Sequence, residues 1–140
     1  MHPTGPVDLS HADVELRVPA DSAFVSVLRT TSAGLAARLD FTLDDIEDLR
    51  MAVGEASAIV LPEAEPGSDL VCEFFMRAGE LTIQVGVPSA NPVPPAEDSF
   101  AWQVLTTLAT KASASTDGHR LTITLSLQSA FQDPAPDMTG

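Results

Sequence analysis

Four stretches of this chain alternate apolar and polar side chains, and that alternation is the strongest limit on its fold. In residues 13–18, Val14, Leu16 and Val18 share one face, and Asp13, Glu15 and Arg17 the other. The same period groups Leu70, Cys72, Phe74 and Met76 in residues 70–77, and Leu81, Ile83, Val85 and Val87 in residues 81–87. It also groups Leu121, Ile123, Leu125 and Leu127 in residues 119–128. Successive side chains of a strand point to opposite faces, so each stretch is predicted to be a strand with one buried and one wet face. Residues 78–80 are a short enough link between the second and third for a hairpin. A sheet with one apolar face must be covered there by another layer.

Helical periodicity supplies that layer. Asp21 or Ser22 can cap a helix running to about residue 39, with Phe24, Val27, Leu28, Leu35 and Leu39 facing inward and Gly34 weakening it slightly. Residues 42–61, TLDDIEDLRMAVGEASAIVL, read as the best helix in the chain. Thr42 and Asp45 have the spacing of a capping box, with Asp in place of the usual Glu or Gln. Asp44, Asp45, Glu47 and Asp48 crowd its first turns, where the helix dipole favours negative charge. Ile46, Leu49, Val53, Ala56 and Val60 form its buried stripe, Pro62 ends it, and Pro66–Gly67 marks a turn. Residues 88–97 hold four prolines and are predicted to be a loop. A third helix is predicted over about residues 99–112, capped by Asp98 or Ser99, with Phe100, Val104, Leu105 and Leu108 inward and a turn at residues 113–118.

The predicted order is therefore β-α-α-β-β-α-β. It describes an α/β (α+β) two-layer sandwich: a mixed sheet of at least four strands with helices on one face. The expected domain is residues 13–128, preceded by a flexible arm (1–12) and followed by a disordered tail (129–140).

At 140 residues the chain suits one core. A net charge of −13 with only 7 Lys and Arg argues against a nucleic-acid partner, because phosphate contacts need cations. The surplus acid serves solubility and also steers association with a basic partner. Cys72 is the single cysteine, which excludes an internal disulfide, and it reads as a small buried hydrophobe. His2, His11 and His119 lack metal-ligand spacing, so no metal site is expected. No basic-then-apolar leader is read at the N-terminus, and no apolar run approaches the roughly 20 residues that cross a bilayer. The expectation is a cytoplasmic protein that does not engage a membrane. No GxSxG, P-loop, HExxH or GxGxxG is present.

Leu39-Asp40, Thr42, Asp44, Asp45, Ala52, Val53, Glu55 and Ala56 together resemble the N-box helix of the RsbW and SpoIIAB serine-kinase anti-sigma factors. That family carries the Bergerat ATP-binding fold, also found in histidine kinases. The resemblance spans about residues 13–128. Within the family, the segment SFAWQVLTTLA at residues 99–109 is similar to one in the actinobacterial UsfX-type anti-sigma factors.

The resemblance implies a role for several positions. Glu55 falls where the family's kinases place the general base. Read without the resemblance, it is a solvent-facing acid on an acidic helix. Ile59 stands where the family has a magnesium-binding Asn, and an apolar side chain has no ligand atom. Residues 85–91 stand at a D-x-G-x-G motif and keep Gly86 but no Asp. Ser99, Phe100, Ala101 and Trp102 stand at a G-x-G-L phosphate cradle, with bulk in place of glycine. Gly118 is what remains of a closing G-G-T. Trp102 reads either as a filler of the vacated nucleotide space or as ordinary core. Arg29 stands at a partner-binding arginine of the first helix, or is an ordinary exposed arginine.

The function implied is an anti-sigma factor that sequesters an alternative sigma factor. An anti-anti-sigma protein with a STAS domain would release it, and the protein would be a homodimer. ATP binding and kinase activity would be lost or weak, so no cofactor is expected. One alternative is an active serine kinase that uses ATP and magnesium to phosphorylate its STAS antagonist. Another is a protein-binding module of the same fold unrelated to transcription.

Overall fold

The computed structural model describes residues 7–130. Residues 1–6 and 131–140 lie outside it, and with them half of the expected arm and most of the expected tail. Strand β1 (Val14–Pro19) leads through a short 3-10 turn (Ser22–Phe24) into helix α1 (Val25–Arg38) and helix α2 (Leu43–Val60). Strands β2 (Asp69–Arg77) and β3 (Glu80–Pro88) follow, then helix α3 (Phe100–Leu108), strand β4 (Lys111–Ser115) and strand β5 (Arg120–Gln128).

The sheet has five strands in the order β1-β2-β3-β5-β4, and every neighbouring pair is antiparallel. The expected mixed sheet is corrected here. A β-α-β path through α3 does make β3 and β4 run in the same direction, because both are antiparallel to β5. They never pair, since β5 lies between them.

Strand β4 is an element that alternation did not reveal. Its sequence, KASAS, has only small side chains on its inward positions, so it carries little apolar signal. The third helix is correspondingly shorter than predicted and ends at Leu108. Its buried stripe runs through Trp102, Leu105, Leu108 and Ala109, spaced three and four residues apart. Phe100 lies off that stripe and is 79% exposed, against the prediction.

All three helices cover one sheet face. Helix α2 lies in the middle, packed on β3 and β5 and flanked by α1 and α3. The predicted apolar positions of β2, β3 and β5 turn toward it: Leu70, Cys72, Phe74, Leu81, Ile83, Val85, Val87, Leu121, Ile123 and Leu125 are fully buried. From α2, Leu49, Ala52, Val53, Ala56 and Val60 meet them. Val27, predicted inward on α1, is instead largely exposed. The opposite sheet face is mostly polar, although Phe75, Thr82 and Ser126 are buried on it, the two hydroxyls 2.8 Å apart.

The start of α2 is built as its sequence predicts. Thr42 Oγ1 accepts from Asp45 N at 3.1 Å, and Asp45 Oδ2 accepts from Thr42 N at 3.2 Å, which closes the capping box. Asp40, at φ 61°, takes the left-handed conformation that ends α1 and redirects the chain. The end of β5 reaches the same place. Ser129 N donates to Gly79 O at 2.8 Å and Ala130 N to Asp45 Oδ2 at 2.9 Å.

Candidate functional site

Two flanks of α2 carry the positions of interest. Glu55 and Ile59 are one helical turn apart and share a stripe. Ile59 is half-buried and packs against the core. Glu55 is also half-buried, and its side chain makes no hydrogen bond or ion pair with a described residue.

Helix α3 packs against α2. Its N-terminus is capped by its own serine: Ser99 Oγ accepts from Trp102 N at 3.3 Å. Trp102 turns inward and packs on the core beside the fully buried Leu105. Both of its sequence readings, a filler of vacated nucleotide space and ordinary core, place the ring inward in this way.

The loops after α2, after β3 and before β5 meet at one end of the sheet. Glu65 N donates to Pro88 O at 3.0 Å, and Ser89 N donates to His119 O at 2.8 Å. A cleft of about 510 Å³ opens here, lined by Ala90, Asn91, Pro92, Val93, Thr116, Gly118 and His119. Gly118 and His119 both have positive φ, at 65° and 56°. Its wall holds no carboxylate. Gly86 is not part of it. That glycine is buried in β3, and a Cβ there would point away from the helices, 3.0 Å from Thr122 Oγ1 and 3.3 Å from Arg120 Nη2.

Arg29 lies on the other flank. Its guanidinium rests on α2 over Gly54, so that a Cβ at Gly54 would stand 2.5 Å from Nη2, 3.1 Å from Nε and 3.2 Å from Cζ. The structure thus packs Ile59 and Trp102, both half-buried, against the core, leaves Glu55 half-buried, and places Arg29 over Gly54. Sequence reading missed Gly54. The available signal was a glycine inside a strong helix, which often marks close approach of another group.

Comparison with known proteins extends this picture. Over 73 residues, 51% of its length, the chain is 41% identical to the serine-protein kinase RsbW of Halalkalibacterium halodurans. It is 34% identical over 74 residues to the RsbW of Bacillus thuringiensis strain Al Hakam and to that of Bacillus cereus strain B4264. That half of the chain is RsbW-like. The matches span 45%, 46% and 41% of those three proteins, so the chain spans about half the length of the curated relatives it matches. No family model matches it.

RsbW is named as a serine-protein kinase. Phosphoryl transfer from a nucleotide depends on positioning and on cations that neutralise phosphate charge. A magnesium ion requires oxygen ligands. At the positions that the resemblance assigns to the nucleotide, Ile59 offers no such oxygen, Ser99 Oγ accepts from the amide of Trp102, and the Trp102 ring packs on the core. Among the described residues, no three His, Cys, Asp or Glu side chains are grouped as metal ligands would be. No helix among the described residues is long and apolar enough to cross a membrane.

Proposed function

We propose that this chain is an RsbW-like anti-sigma factor that works by holding its partner, with nucleotide chemistry lost from the site. The observation that carries this reading is the packing of Ile59 and Trp102 on the hydrophobic core at the positions where an RsbW-type kinase needs polar and bare surfaces. A chain with −13 net charge attracts a basic sigma-factor surface and speeds encounter with it. Arg29 presents a guanidinium on α1 that suits a carboxylate of the partner. Release then comes by competition from a STAS-domain antagonist. Each sigma factor of the same genome, purified and mixed with this protein, tests the reading by co-elution in size-exclusion chromatography. Co-elution with one of them supports it, and a failure of all of them contradicts it.

The retained carboxylate of Glu55 favours a second reading, an active serine kinase. A half-buried carboxylate on α2 can act as general base when a serine hydroxyl comes within hydrogen-bond reach. Incubation with labelled ATP, magnesium and a STAS-domain protein separates the two. The first reading predicts no transfer. The second predicts transfer that Glu55→Ala abolishes.

A further inference from the structure

Strand β4 is the outermost strand at one side of the sheet, and among the described residues it pairs only with β5. Its other edge presents a row of unpaired backbone N–H and C=O groups, which favours the addition of another strand. The opposite outer strand, β1, is blunted by the exposed charges of Glu15 and Arg17 and ends at Pro19. Strand β4, with the sequence KASAS, has one charge, no proline, and nothing larger than serine after Lys111. Helix α3 stops at Leu108, so the helical layer ends short of this edge. Ala112 and Ala114 lie on the helix side of the sheet, opposite the buried Leu125 and Ile123, yet Ala112 is only half-buried and Ala114 is exposed.

We infer that this edge docks β4 of a second copy of the chain, joining two five-stranded sheets into one continuous sheet. From Ala112 to Ala114 the strand is a palindrome centred on Ser113. Antiparallel pairing about a two-fold axis there brings Ala112 opposite Ala114 of the partner subunit, and Ser113 opposite Ser113 of the partner subunit. Lys111 falls opposite Ser115 of the partner subunit, and Asp117 of the partner subunit is two positions farther on. Lys111 is exposed and forms no ion pair with a described residue. Diagonal neighbours across an antiparallel pair lie within reach of a long side chain, so Lys111 meets that carboxylate, and the two-fold repeats the contact. A net charge of −13 opposes contact between two copies over most surfaces, and this complementarity offsets it at β4. A strand of five residues buries little surface, so the association is weak and depends on concentration.

Sedimentation equilibrium and amide hydrogen exchange on the full chain test this. Raising the concentration of the wild type toward millimolar should slow exchange at residues 111–115 in step with dimer formation. Ser113→Glu sets like charges against each other on the axis and should raise the dissociation constant of that step by about fivefold or more. Lys111→Asp should also weaken it, and adding Asp117→Lys to Lys111→Asp should restore the wild-type constant to within about twofold. All three positions are exposed, and thermal unfolding verifies that each variant is folded. A wild type that stays monomeric at millimolar concentration overturns the inference, as does exchange at residues 111–115 that is independent of concentration. Self-association that Ser113→Glu leaves unchanged places the interface elsewhere and overturns it too. A charge-swapped variant that associates no more tightly than Lys111→Asp rules out the pairing about Ser113.

Discussion

Asp45 holds Ala130 at 2.9 Å, joining the first turn of α2 to the end of β5 across 85 positions of sequence. The same carboxylate oxygen accepts from Thr42 N at 3.2 Å, and Ser129 Oγ lies 3.5 Å from it. One side chain thus closes the capping box and anchors the last described strand. Asp45→Ala is expected to cost about 2 kcal/mol of stability, one cap plus one charge-assisted hydrogen bond. Urea unfolding of the two proteins measures this, and a loss within a few tenths of a kcal/mol would show that the clasp is dispensable.

The clasp also depends on pH. Burial alone would raise the Asp45 carboxyl, but hydrogen bonds from Ala130 N, from both groups of Thr42 and from Ser129 outweigh it and hold the group below its ordinary 3.8. The folded state therefore binds this proton less readily than the unfolded state does. The stabilisation is present above the ordinary value and declines as pH falls through the lowered one. Unfolding free energies measured through the carboxylate range should fall with pH in the wild type, and less steeply in Asp45→Asn.

Gly34 lies on the exposed side of α1, and nothing lies within 4 Å of where its Cβ would be. Its φ is in the ordinary helical range, so alanine meets no strain there. Gly34→Ala should stabilise the protein by about 0.5–1 kcal/mol, through helix propensity and a less flexible unfolded chain. Thermal unfolding checks this, and a lower midpoint would mean that α1 needs the glycine.

Cys72 is enclosed by the sheet and the helices, and burial pushes its thiol up from 9.0 to about 12. Thiolate is the reactive form, so the folded protein should resist a disulfide reagent at mildly alkaline pH and react once in guanidinium chloride. The sign for stability follows from the same shift. The native state keeps a proton that the unfolded state releases near 9.0, so stability declines as pH rises from there toward about 12. Cys72→Ala should remove that decline.

Leu121, Ile123, Leu125 and Leu127 announce their strand because each alternates with a polar residue and each is buried. Thr42, Asp45 and the stripe from Ile46 to Val60 announce α2 in the same way, so most of the fold was legible. Ala112 and Ala114 did not announce β4, since two methyl groups on an edge strand carry almost no pattern. Phe100 misled because its apolar character was read as burial, and only the register of α3 set by Trp102 and Leu105 decides which way it points. At the candidate site, Ile59 and Trp102 were legible as departures from a resemblance. The Arg29–Gly54 contact was not, because it joins two helices whose relative placement depends on the whole core.

Ile59 and Trp102 hold the account together, and nucleotide binding tests them most directly. Isothermal titration calorimetry with ATP and magnesium is the measurement, made on the full chain and on Ile59→Asn. The account predicts no binding heat at millimolar nucleotide for either protein, because restoring one ligand oxygen leaves the Ser99–Trp102 segment without bare backbone. Saturable binding of ATP by the wild type at micromolar concentration would contradict it.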